Sequence, residues 1–367
     1  MKRSIAFLLV LCLLAGGCIS ASADWNDPTG WDFSDWTDVV DIASCNAGVI
    51  GLRADGTLLR QGGEEQGLSK VDGWTGIRQI LLCNWGEEYS IFGLREDGTV
   101  ISTTDADFSG WDHIIKLVAS EYYVGWVAGL REDGSVLVTE KGAFGEVNPD
   151  YDIWGDTWID PSDWGPAVDI IYLPGWTAMN GLAALCADGT VRVAFTGDRS
   201  YTETWTDVVA LCPLLDALVG LKKDGTLLLP PWMTDEDFAE ECANNMEYTT
   251  LPQDWESMVV LCPGQQNDLY GLREDGRMEI CKFPCGPAFR MASEWEGIRS
   301  IKTNIHDIYG LREDGSVVYA GPLEMPEELF QWKGVQQLFI QEVWAYKWIL
   351  GLQEDGTVLA LEVHDDW

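Results

Sequence analysis

An Asp-Gly pair set between two apolar runs recurs eight times along this chain, and no other feature restricts its folding as strongly. The copies begin at Gly51, Gly93, Gly129, Ala184, Gly220, Gly271, Gly310 and Gly351, and Gly129-Leu130-Arg131-Glu132-Asp133-Gly134-Ser135-Val136 is representative. Asp-Gly supplies the positive φ of a tight hairpin, either as a type I′ turn or as a three-residue loop with a Gly bulge. Each copy therefore predicts two antiparallel strands. The leading Gly falls inside a strand, where glycine marks the close approach of another group. Seven leading glycines at one phase predict a crowded common axis.

A tryptophan opens every unit: Trp36, Trp74, Trp111, Trp164, Trp205, Trp255, Trp295 and Trp332. A β-branched run such as Val39-Val40-Asp41-Ile42 or Ile77-Arg78-Gln79-Ile80 follows, which reads as a third strand. Successive tryptophans stand 37 to 53 residues apart, so the unit core is constant and the tails vary. The longest tails run from Gly142 to Asp163 and from Pro230 to Asp254; in the latter, Thr234 to Met246 reads as a short acidic helix with Thr234 as its cap. Repeated three- to four-stranded units hide their edges when arranged radially, which predicts an all-β chain folded as a single β-propeller. Eight blades are expected, with seven as the alternative if a terminal unit is shared. A β-solenoid is the rival, disfavoured because a hairpin in every unit demands antiparallel pairing. Residues 36–367 would form the ring, and residues 24–35 are expected to pack near the C-terminal strand and close it.

The pattern Trp, strand, Gly-Leu-x-x-Asp-Gly-Thr-Val resembles the bacterial branch of the regulator of chromosome condensation (RCC1) repeats, in the superfamily that includes the secreted β-lactamase inhibitor protein II. The resemblance covers residues 36 to 363 and implies an RCC1-like propeller, which in that family normally has seven blades. The family's usual Ala-Gly-x-x-His before the Gly-Leu strand is largely absent from this sequence. That departure weighs against a chromatin or nucleotide-exchange role.

Charge points the same way. The chain has 23 basic and 60 acidic residues, a formal net charge of −37. Such a field repels nucleic acid and anionic membranes. Its plainest use is solubility and protection of strand edges; a sharper one is attraction of a cation or a basic partner. Residues 1–23 read as a signal peptide: Lys2 and Arg3, an apolar run from Ile5 to Ala15, and Ala21-Ser22-Ala23 before Asp24. A second cleavage signal, Leu14-Ala15-Gly16-Gly17-Cys18, resembles a lipobox and would leave Cys18 lipidated. Either route predicts an extracytoplasmic protein, secreted or lipid-anchored, and the apolar run is too short to span a membrane.

Catalytic signatures are absent from the sequence. There are three histidines, His113, His306 and His364, and no zincin, nucleophile-elbow, Walker or dinucleotide motif. His113 reads as structural. The Asp-Gly turns lack the alternating ligands of a calcium loop, so no metal and no cofactor is expected. Cys45 and Cys83 lie nine residues after their unit tryptophans, and Cys212 and Cys262 seven after theirs. Equivalent sites on neighbouring blades predict buried thiols near the inner strands. Cys281 and Cys285 are expected to form a disulfide.

The expected binding residues share one phase of the repeat, between the first strand and the Gly-Leu strand. They are the aromatic residues Trp85, Tyr122, Tyr123, Trp176 and Trp344 with His306, and the acids Glu87, Glu88, Glu121, Asp216, Asp268, Asp307 and Glu342. One phase of a propeller means one rim, where rigid aromatics bury large area at small entropy cost. The function expected is that of an exported, monomeric, non-enzymatic scaffold for a protein with an apolar centre and basic surroundings. A glycan-binding lectin is the alternative, and a carboxylate-based hydrolase a third reading.

Overall fold

The structure, a computed structural model, describes residues 31–45, 47–84, 89–120, 126–140, 160–174, 181–194, 200–214, 217–245, 250–264, 268–281, 291–303, 307–343 and 346–364. Every tryptophan-led unit forms its own three-stranded antiparallel sheet, giving eight sheets with strands in sequence order. The eight-bladed form is thus the one observed. The first strands are Val39–Cys45, Ile77–Asn84, Ile114–Ala119, Ala167–Leu173, Val208–Pro213, Met258–Pro263, Ile298–Thr303 and Val335–Val343. Each touches the first strand of the next blade in an unbroken cycle, and the eighth touches the first. These are the inner strands of a closed ring.

The hairpin turn resolves to the three-residue loop with a Gly bulge. In blade three, Gly134 has φ +85° while Asp133 keeps a negative φ, which excludes type I′. Arg131 N–H donates to the Ser135 carbonyl at 2.8 Å, and Asp133 Oδ1 accepts from the Ser135 N–H at 2.9 Å and its hydroxyl at 2.6 Å. Those bonds, the hydroxyl's first, hold the Asp133 carboxyl below the usual carboxylate range. Asp55, Asp97, Asp188, Asp224, Asp314 and Asp355 repeat the arrangement with Thr or Ser two residues on. In the sixth blade, Arg277 stands in the Thr position; its N–H donates to Asp275 Oδ1 at 3.1 Å and its guanidinium lies 3.9 Å from the same carboxylate.

The turn also joins the blades. The carbonyl of its Gly accepts from the first N–H of the next inner strand, as from Ala167 to Gly134 at 2.9 Å. All eight junctions carry this bond, including Val39 N–H to Gly356 at 3.0 Å, which ties the first blade to the last. Eight hydrophobic clusters fill the same eight junctions. The closing cluster sets Phe33, Trp36, Val39 and Val49 against Trp348, Leu350 and Val358. Trp31 stacks on Trp348 with centroids 5.7 Å apart, and Phe33 meets the same ring edge-on at 5.5 Å. The lead-in, where described, packs on the C-terminal blade as expected.

The leading glycines are crowded by a different neighbour from the one expected. A Cβ on Gly51 would lie 2.5 Å from the Trp36 ring, and Gly93, Gly129, Gly220, Gly271, Gly310 and Gly351 each face their own unit tryptophan in the same way. The pressure comes from that indole lying across the strand, not from a common axis. Blade four carries Ala184 instead, and there Trp164 is only partly buried. Gly51→Ala is therefore expected to destabilise by about 1–3 kcal/mol through overpacking. An unchanged Tm would show that the Trp36 ring slides aside freely.

Two further sequence expectations meet the structure here. His113 has φ +53°, in the position two after the tryptophan where Asp38, Gly76, Asp207, Ser257, Gly297 and Gly334 also have positive φ; its role is structural. The helix in the fifth tail runs Glu236–Asn245, and Asp235 caps it, accepting the Phe238 N–H at 2.8 Å. The Thr234 hydroxyl donates to the Pro231 carbonyl at 2.8 Å, closing the preceding 3-10 turn instead. A carboxylate is the better acceptor for a helix N–H, so the cap sits one residue later than expected. Among the described residues no helix is long and apolar enough to cross a membrane.

Candidate functional site

All eight inner strands run the same way, so the connections from inner to middle strand leave one end of the ring and the Asp-Gly turns occupy the other. At the connection end the ladders close at Asn84↔Tyr89, Ala119↔Val127, Leu173↔Gly181, Pro213↔Leu218, Pro263↔Leu269, Thr303↔Ile308 and Val343↔Tyr346. Trp85, Tyr122, Tyr123, Trp176, His306, Trp344, Glu87, Glu88, Glu121 and Asp216 belong to these connections and lie outside the described residues. Glu342 is on the eighth inner strand, its backbone paired with Lys347.

The strand ends beneath these connections are tightly fixed. Trp126 is fully buried against Tyr172, and its backbone N–H donates to Ser120 Oγ at 3.1 Å while its carbonyl accepts the Ser120 N–H at 3.0 Å. In blade five the Tyr201 hydroxyl accepts the Leu218 N–H at 3.1 Å. Thr303 hydroxyl donates across a junction to the Pro263 carbonyl at 3.1 Å. Short side-chain and backbone bonds of this kind hold both ends of a connection in place.

Asp268 and Asp307 depart from expectation. Both were expected among the surface acids of the rim, yet they are 2% and 1% exposed. The Asp307 carboxylate accepts from the Tyr319 hydroxyl and from the Lys347 ammonium, itself buried, and Tyr319 in turn accepts the Leu323 N–H at 3.1 Å. A Cβ on Gly321 would meet both the Tyr319 hydroxyl and Asp307 Oδ1, so only glycine lets the chain pass over this network. Asp268 packs under Gly264, whose N–H donates to the Asp268 carbonyl at 2.8 Å. These acids shape the base of the rim and present no carboxylate to a partner.

Farther along the inner strands, polar side chains link neighbouring blades. The Gln79 amide donates to the Leu117 carbonyl at 2.8 Å and accepts the Leu117 N–H at 2.9 Å, so one side chain satisfies both backbone groups of the next inner strand. Lys116 reaches Asp169 of the following blade at 2.5 Å. Burial pushes the Asp41 carboxyl up, partly opposed by the Ile42 N–H and the charge of Lys302. Among the described residues no group of three or more His, Cys, Asp or Glu could hold a metal ion.

Cys45, Cys83, Cys212 and Cys262 are buried on or beside the inner strands, as expected from their phase. Cys45 Sγ donates to the Gly48 carbonyl at 3.6 Å and Cys262 Sγ to the Pro263 carbonyl at 3.6 Å. Cys281 is also buried; Cys285 and Cys18 lie outside the described residues.

No protein-family model matches the sequence, and no curated protein matches it. Among solved structures, the fold is similar to the computationally designed Ika8 protein, at 14% identity and a TM-score of 0.49, covering 90% of this chain and 98% of that one. The ectodomain of the Physcomitrella patens receptor kinase CR4 aligns at 13% identity and a TM-score of 0.43, over 79% of this chain and 74% of that one. Prp20p of Saccharomyces cerevisiae, the yeast RCC1, aligns at 13% identity and a TM-score of 0.37, over 66% of this chain and 72% of that one. RCC1 propellers are thus among its structural neighbours.

Proposed function

We propose that the chain is an exported, non-enzymatic binding scaffold that captures a protein partner at the connection end of the ring. One observation carries the reading: inner-to-middle connections all leave the same end of a closed eight-bladed ring, and the sequence concentrates Trp85, Tyr122, Tyr123, Trp176 and Trp344 in those connections. Large aromatics with few rotatable bonds, contributed by several blades, would supply binding hot spots at small entropy cost. Glu87, Glu88 and Glu121 in the same segments would favour a partner with basic surroundings and speed its approach at low salt.

Replacing Trp85, Trp176 and Trp344 together by Ala is expected to weaken partner capture from culture medium by at least about a hundredfold while leaving thermal unfolding nearly unchanged. A collapse of the fold would show that these residues are core. Unaltered protein capture would refute the reading, and a matching loss on a glycan array would replace the protein partner with a carbohydrate.

A further inference from the structure

The inner strands share an irregularity at the opposite end of the ring. In every blade the register slips by one residue at the position four after the unit tryptophan, a β-bulge. The residue extruded is Val40, Arg78, Ile115, Val168, Val209, Val259, Arg299 or Gln336 in blade order. Five of the eight large hydrophobic residues exposed among the described residues fall at this single position. Four come from consecutive blades: Ile115 at 43%, Val168 at 55%, Val209 at 39% and Val259 at 50% exposure. They form an arc around the channel mouth, ended on one side by Arg78 and on the other by Arg299.

Strand propensity does not account for the arc. Threonine has nearly the shape of valine and suits a strand equally well, so an exposed bulge residue has no need to be aliphatic. Arg78 and Arg299 have a local task, donating to the Ile114 and Val335 carbonyls of the next blade's bulge. Among the described residues the four aliphatic side chains remain about half exposed. Around them stand the turns, each packed under the next blade's bulge segment: Gly98 lies against His113, Gly134 against Pro166, Gly189 against Asp207 and Gly225 against Ser257. Those turns expose Glu96, Asp97, Glu132, Asp133, Asp188 and Asp224 against one exposed cation, Lys223, while Arg95, Arg131 and Lys222 lie partly buried beside them.

We infer that this arc is a second docking surface, taking a short aliphatic protein segment flanked by Lys or Arg. Complementarity selects the occupant, since the apolar centre needs aliphatic contact and its acidic border needs positive charge. Size and charge argue against a second copy of this chain. Four half-exposed side chains present about 300 Å², against the roughly 800 Å² per partner of a stable interface, and two chains of net charge −37 repel.

The probe is a synthetic helical peptide with leucines along one face and lysines elsewhere, measured against the intact ring by calorimetry, beside a version with glutamate for lysine. The lysine peptide is expected to bind and to weaken as salt rises, and the glutamate peptide not to bind. Combining Ile115→Thr, Val168→Thr, Val209→Thr and Val259→Thr is expected to weaken the lysine peptide by about tenfold or more with Tm unchanged. Equal binding by the quadruple variant would reduce the effect to charge and overturn the inference. So would loss of binding only in the Trp85, Trp176 and Trp344 variant, which would put the peptide at the connection end, or a wild-type dimer in sedimentation that the quadruple variant dissolves.

Discussion

Truncation after Gln331 is expected to unfold the whole ring cooperatively, instead of trimming one unit from its end. The removed segment contains Trp332 and the three strands of blade eight. Two junctions go with it. One loses Val335, Leu338, Ile349, Leu361 and Val363 from around Tyr309, Leu311 and Leu329; the other strips Trp348, Leu350, Leu352 and Val358 from Phe33, Trp36 and Val39. At about 1.5–3 kcal/mol for each large side chain returned to water, the six partners left exposed at the two junctions cost about 9–18 kcal/mol together, as much as the 5–15 kcal/mol by which a typical domain is stable. The bond from Val39 to Gly356 that closes the ring is lost as well. The expected result is a truncated chain without a cooperative thermal transition, followed by near- and far-UV circular dichroism. A truncated chain that melts near the full-length Tm would mean that seven blades can stand as an open stack, and that closure contributes little.

Blade order and closure were legible in the sequence, and eight blades were favoured over seven, because these depend on local signals that recur. Asp-Gly before Thr or Ser fixes a turn, and the tryptophan three residues ahead of an inner strand fixes where each sheet starts; blade four shows the strength of the combination, forming its sheet even with Ala184 in place of Gly. Crowding at the leading glycines was legible as a fact but not in its cause. Sequence phase cannot say that Trp36 folds back over Gly51 and not toward the channel. The bulge was invisible for a related reason: Val39-Val40-Asp41-Ile42 reads as an alternating strand, and one extra residue shifts the faces without changing composition. Burial of Asp268 and Asp307 had a trace in the recurrence of Asp-Leu-Tyr-Gly and Asp-Ile-Tyr-Gly at one phase. The partner lysine of Asp307 lies 40 residues away in the next blade, a distance no local pattern bridges.

That pairing carries the second large effect. The side chains of Lys347 and Asp307 are 6% and 1% exposed, so neither charge has water to fall back on. Removing one partner from such a pair leaves an uncompensated buried charge and typically costs about 3–5 kcal/mol, whereas replacing both can be nearly neutral. Lys347→Met is therefore expected to lower stability by about 3–5 kcal/mol, because the buried Asp307 carboxylate keeps the Tyr319 hydroxyl but loses its ammonium. Asp307→Asn keeps an acceptor for Tyr319 but removes the charge that faces the buried ammonium, and should destabilise comparably. The double variant should recover much of the loss, because no buried charge remains. Denaturant melts of the wild type, both single variants and the double variant give the coupling directly. Additive losses would show that the two groups act independently and that their contact is incidental. Strong coupling would make the pair a strut between blades seven and eight. The strut stands where the strands carry the connections of His306 and Trp344, so in the coupled case Lys347→Met should also weaken the capture proposed for that rim while the ring is still folded.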